Sequence, residues 1–161
     1  GKPDPLNNHN KRSLTPLYVG SVWSGEFEDT KKLAEQGNSK SQHNLGNIYF
    51  KGKGVTQNYK QSVYWYTKSA EQGNYSSQYN LGISYYKGEG VPQNYKLAYI
   101  WASLAASQGY KDAIYNRDIM VKKLAPQQLN EARNIASKIQ YKIDNPTKSQ
   151  KQQSSRTDFK E

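Results

Sequence analysis

The sequence predicts an all-α solenoid of antiparallel helix pairs, closed by a C-terminal capping helix. Three observations predict it. Residues 34–69 aligned with 70–105, without gaps, give 20 identities in 36 positions. Within each 36-residue unit, two stretches of helical apolar spacing are separated by a Gly-x-Gly loop. Beyond the last unit, Leu129, Ala132, Ala136, Ile139 and Ile143 form one apolar stripe at helical spacing. A helical hairpin of this size cannot bury its apolar side alone, so neighbouring units must stack to make the core continuous.

Taken in chain order, residues 1–18 read as a loose N-terminal segment, and the solenoid is expected over 19–143 in units of about 19–38, 39–74, 75–110 and 111–143. Val19 and Trp23 fall 36 residues before Val55 and Tyr59, so Glu26 to Gln36 reads as the second helix of a worn first unit. First helices are expected over 39–51 and 75–87, with Leu45, Ile48 and Tyr49, or Leu81 and Tyr85, on the apolar side. Gly52 and Gly54, and likewise Gly88 and Gly90, break the helix and mark a loop. Asn58 and Asn94 are suited to cap second helices at about 59–72 and 95–108, and Gly37, Gly73 and Gly109 to end second helices in a left-handed conformation. Gly46 and Gly82 lie mid-helix, where glycine costs about 1 kcal/mol against alanine. Their repetition predicts a close helix approach in preference to a ligand touching the backbone. Pro126 fits the first turn of the capping helix. The polar stretch 144–161 is expected to be disordered.

Composition narrows the chemistry. Leu, Ile, Val and Phe make up only 27 of 161 residues, a share that by itself warns of disorder, yet 14 Tyr and 3 Trp supply large buriable surfaces. Cysteine is absent, which excludes disulfides, thiolate metal sites and a cysteine nucleophile. No stretch is apolar enough to span a bilayer. Against 13 acidic residues stand 23 basic ones, a net charge of +10. Of those, 19 are Lys and four Arg, spread along the chain, with no nucleic-acid reading module, so nucleic acid is the disfavoured partner. Of two histidines, His9 lies in the loose segment and His43 has no carboxylate at helical spacing. Glu26, Glu28 and Asp29 suit a helix N-terminus better than an acid/base pair. The Gly-x-Gly loops follow no strand and precede no Gly-Lys-Ser/Thr. The expectation is therefore no enzyme, no catalytic residue, no metal and no cofactor.

The strings HNLGNIYFKGKGVTQNYKQSVYWYTKSAEQGN at 43–74 and YNLGISYYKGEGVPQNYKLAYIWASLAASQG at 79–109 resemble the Sel-one-like repeat (SLR) family, relatives of the tetratricopeptide repeats. The third unit departs from the pattern, with Arg117 and Asp118 in place of Leu-Gly, and LAPQQLNEARNIASKI at 124–139 resembles the capping helix common in that family. The resemblance implies a right-handed superhelix with first helices lining the concave side, and a role in holding proteins or peptides together. A cysteine-rich branch acts on β-lactams, and the absence of cysteine makes that likeness poor.

With the packing positions set aside, one stripe of the first helices is left for a partner. It comprises His43, Asn44, Asn47, Phe50 and Lys51, then Tyr79, Asn80, Ile83, Tyr86 and Lys87, and then Tyr115, Asn116, Ile119, Lys122 and Lys123. Asparagine offers donor and acceptor to a peptide backbone, lysine a flexible charge for a carboxylate, and aromatic rings anchoring area. In tetratricopeptide repeats, Asn and Lys at such positions clamp a peptide's terminal carboxylate. The competing reading is that the asparagines bond neighbouring helices and the lysines are solvated. Trp65 and Trp101 are expected in packing. The expected function is a non-catalytic adaptor, a monomer on its own, that binds an acidic protein or a peptide with a free C-terminal carboxylate. Family habit puts it in the bacterial periplasm or among secreted proteins, although a cytoplasmic protein would read identically. An immunity or inhibitor protein that plugs a toxin or hydrolase is the alternative within binding proteins. A β-lactam-acting enzyme and a basic nucleic-acid binder are the rivals from other classes.

Overall fold

Helix boundaries recur every 36 residues because their caps do. The computed structural model describes residues 25–148, 150 and 151, which form α1 (25–35), α2 (Ser39–Lys51), α3 (Tyr59–Glu71), α4 (Tyr75–Lys87), α5 (Tyr95–Ser107), α6 (Lys111–Val121) and α7 (Pro126–Asp144). Asn58 and Asn94 accept the third-residue N–H of α3 and α5 at 3.1 and 3.0 Å. Asn38 and Asn74 do the same for α2 and α4 at 2.8 and 2.9 Å. Each such cap is worth about 1 kcal/mol. In the third unit the corresponding residue is Tyr110, and α6 starts without a side-chain cap. Gly52 and Gly88 close the first helices at φ 68° and 72°, a conformation that L side chains rarely adopt.

Successive helices pack in order from α2 to α6, making an all-α solenoid of antiparallel pairs. Leu45, Leu81 and Ile100 are fully buried, and Trp65 and Trp101 are buried beside them. Removing a side chain such as Leu81 would cost about 2–5 kcal/mol. Polar clamps hold one unit to the next. Gln72 Nε2 donates to Gly37 O at 3.1 Å and to Gln42 Oε1 at 2.7 Å, while Gln42 Nε2 donates to Ala34 O. One period later, Gln108 Nε2 donates to Gly73 O and Gln78 Oε1, and Gln78 Nε2 to Ala70 O. The repeated glutamines therefore join units. In α6 the place of Gln78 is taken by Ile114, so the series of clamps ends there.

Helix α7 covers what the clamps leave. Pro126 stands in its first turn, and Gln128 Oε1 accepts the backbone N–H of Ala125 at 3.0 Å. Ala132 is buried, and Leu129, Ile135, Ala136 and Ile139 pack onto the core formed largely by α5. The Lys96–Glu131 ion pair, at 2.6 Å, ties α5 to α7 at the surface.

Helix α7 runs to Asp144, and residues 148, 150 and 151 are helical. There the Thr147 N–H donates to Gln150 Oε1 at 2.9 Å, and the Lys151 N–H donates to Thr147 O. The segment 1–18 with His9, the faint repeat at Val19 and Trp23, and the tail from 152 onward lie outside the described residues.

Candidate functional site

Two successive grooves lie between first helices, with a second helix as their floor, and corresponding positions differ by 36. In the groove of α2, α3 and α4 the floor residue is Tyr66, only 3% exposed. A Cβ on Gly46 would meet the Tyr66 ring at 2.5 Å, so glycine there makes room for an aromatic side chain. The Tyr66 hydroxyl donates to Asn47 Oδ1 at 2.5 Å. Asn47 Nδ2 donates to His43 Nε2 at 3.1 Å, which leaves the His43 Nδ1–H to donate to Ser77 Oγ at 2.8 Å. Burial lowers the His43 pKa from 6.5 and pushes that of Tyr66 up to about 12. This groove is filled by the chain's own ring and closed by a relay of neutral hydrogen bonds.

The groove of α4, α5 and α6 is open. Ala102 stands where Tyr66 stands one period earlier, Ile83 replaces Asn47 and Tyr79 replaces His43. The result is a cleft of about 230 Å³. Tyr79, Ile83 and Tyr86 form the α4 wall, Asn116, Ile119 and Met120 the α6 wall, and Gly82, Ala98 and Ala102 the floor, with Lys87 also at its edge. Gly82 serves a different end from Gly46: its Cβ would meet backbone atoms of α5, Ala102 N and Ala98 O, both at 3.3 Å. That is the close helix approach expected from the sequence, and the same glycine also lines the cleft.

The remaining site candidates are divided. Asn44, Asn47 and Lys51 border a more polar cleft of about 270 Å³ together with Glu26 and Thr30 of α1. Phe50 packs on Tyr59, ring centroids 5.2 Å apart, as Tyr86 packs on Tyr95 at 5.6 Å. Lys123 Nζ lies 5.2 Å from the Tyr95 ring centroid and 6.0 Å from that of Tyr86, and Lys122 is exposed on the same turn. Asn80 is half-buried, and Tyr115 points outward with 69% exposure. Sequence reasoning missed Tyr66 and Ala102 as the pair that decides which groove is open. The signal was available as the break in aromatic identity at that offset. It also missed the ring cluster at the end of the cleft, where Tyr110 packs against Tyr79 at 4.9 Å and Tyr75 at 5.4 Å. Among the described residues, no group of three or more His, Cys, Asp and Glu is placed to hold a metal ion, and no helix is long and apolar enough to cross a membrane.

Residues 39–74 and 76–110 each match the Sel1 repeat. The chain carries two Sel1 repeats. The filled groove lies within and just after the first, and the open cleft joins the second to α6. Among solved structures, a protective antigen present in uropathogenic Escherichia coli strains and displaying an SLR fold is similar, at 32% identity and TM-score 0.66 over 78% of this chain and 29% of the antigen. A Sel1 repeat protein from Oxalobacter formigenes is 41% identical over 50% of this chain and 61% of its own, with TM-score 0.49. No curated protein matches. This chain thus spans under a third of the antigen and about three-fifths of the second protein. Sel1 repeats are helical scaffolds of protein–protein interaction, and the order of helices here is that of such a scaffold.

Proposed function

We propose that the chain is a non-catalytic adaptor that binds a protein or peptide on the face formed by its first helices, with the cleft between α4 and α6 as the anchoring site. One observation carries this reading: the open apolar cleft of about 230 Å³, walled by Tyr79, Ile83 and Tyr86. Rigid aromatic and aliphatic walls around a vacant hollow suit a side-chain anchor. The polar groups Asn116 and Lys87 border the same hollow and suit a peptide backbone and a carboxylate respectively. A net charge of +10 favours an acidic partner. We read the setting as a bacterial envelope, periplasmic or secreted, and the support for that is the likeness to a bacterial antigen.

Affinity capture from a bacterial envelope extract tests the reading, with the Lys87→Ala, Asn116→Ala double variant run beside the native chain. Both residues border the cleft and neither belongs to the buried core, so melting temperatures should agree within a few degrees. A protein held by the native chain and released by the double variant is the expected result. Equal capture by both, or capture of nucleic acid that is lost steeply with salt, would contradict it.

A further inference from the structure

We infer that the α4–α6 cleft takes a phenylalanine side chain from an acidic segment of the partner, in the place that Tyr66 fills in the preceding groove. The inference rests on the partner-binding reading above and adds the identity of the anchor. The chain itself supplies the template. In the first groove a six-membered ring sits directly on a helical glycine, its Cδ1 and Cε1 at 2.5 and 2.6 Å from where a Gly46 Cβ would stand. One period later the glycine is kept as Gly82, the ring is gone because position 102 is alanine, and about 230 Å³ stands open. An apolar cavity of about 150 Å³ is enough to bind benzene.

The chemistry of the walls separates phenylalanine from tyrosine. The Tyr66 hydroxyl is satisfied by Asn47, and at the corresponding place the cleft presents Ile83. A tyrosine seated in the pose of Tyr66 would turn its hydroxyl onto the apolar Ile83 side chain instead of the Asn47 acceptor, and that loss is penalised. A bare phenyl ring meets the Tyr79 and Tyr86 rings and the adaptable thioether of Met120 without that loss. Charge sets the flanks. Lys87 borders the cleft, and Lys122 and Lys123 are exposed at the end of α6. The acidic residue in that stretch, Asp118, is paired with Arg117 at 3.1 Å. Carboxylates on either side of the phenylalanine complement these lysines.

Capped pentapeptides of four glutamates around one central phenylalanine, tyrosine or alanine serve as probes, read by NMR shift titration at Gly82 and Met120. For the native chain the phenylalanine peptide should bind about tenfold or more tighter than the other two. Ala102→Tyr, which copies Tyr66, should abolish that preference while the protein still melts cooperatively. Ile83→Asn, which copies Asn47, should reverse the preference towards tyrosine, and this second variant decides the matter should Ala102→Tyr fail to fold. Equal binding of the three peptides to the native chain, or a phenylalanine preference that survives Ala102→Tyr, overturns the inference. If those equal affinities come with shifts at Asn44 and Lys51, the partner-binding reading stands without the phenylalanine anchor. No binding at millimolar peptide overturns the inference too, and the capture experiment then decides alone whether the face binds a partner. A dimer formed without peptide and lost in Ala102→Tyr would assign the cleft to a second copy of the chain and likewise overturn it.

Discussion

Two grooves built on one repeat have opposite characters, one filled and the other open. Both have a glycine on the first helix, an aromatic pair at one end (Phe50 with Tyr59, Tyr86 with Tyr95) and a buried tryptophan beneath (Trp65, Trp101). Among the positions at which their inner surfaces differ, three matter most. Tyr66, Asn47 and His43 make the first groove full and polar, whereas Ala102, Ile83 and Tyr79 make the second open and apolar. A repeat scaffold can thus carry a filled groove and an open one within the same order of helices, because the ring that fills the first comes from a single side chain on the second helix.

The comparison can be broken most forcefully at Tyr66. Tyr66→Ala should cost about 3–5 kcal/mol, read by urea denaturation, because it empties a buried site and strips Asn47 of its hydroxyl donor. A cost under about 1 kcal/mol would show that the ring is not a structural plug. The glycines come next. Gly46→Ala should cost about 1–3 kcal/mol by driving a methyl into the Tyr66 ring. Gly82→Ala should lie closer to neutral, since its 3.3 Å contacts need only a small shift and the helix gains about 1 kcal/mol in propensity. In the Tyr66→Ala background the cost of Gly46→Ala should largely vanish, and additivity of the two would contradict the contact.

The smallest effect is in pH. Burial holds the His43 pKa below 6.5, so the native state favours the neutral ring. Stability from this site is fully present above the unfolded value of about 6.5 and is lost as pH falls below it towards the lower folded value. Melting temperature should therefore decline modestly between pH 7.5 and 5.5 in the native chain, and less in His43→Gln. An identical decline in the two would remove His43 from the network.

Much of the fold is legible in the amino-acid sequence. The period, the glycine-ended first helices and the caps at Asn58 and Asn94 are local signals, and local signals survive in a sequence. The Gln72–Gln42 and Gln108–Gln78 clamps were less accessible, since AEQGN announces a repeat but not which carbonyl its glutamine reaches 35 residues away. The candidate site was half legible. Choosing the exposed stripe of the first helices brought in Tyr79, Ile83, Tyr86, Lys87 and Asn116, all of which line the open cleft. It treated the three first helices as equals, however, because the deciding residues sit on the second helices. Only in three dimensions does Tyr66 lie against Gly46.

The most direct measurement is a calorimetric titration of the captured partner into the native chain and into Ala102→Tyr, with a melting curve for each. If the open cleft is the anchoring site, the copied tyrosine should weaken binding at least about thirtyfold, as loss of a hot spot does, while the melting temperature holds or rises. Unchanged affinity in a folded Ala102→Tyr protein would contradict the assignment of function to this cleft.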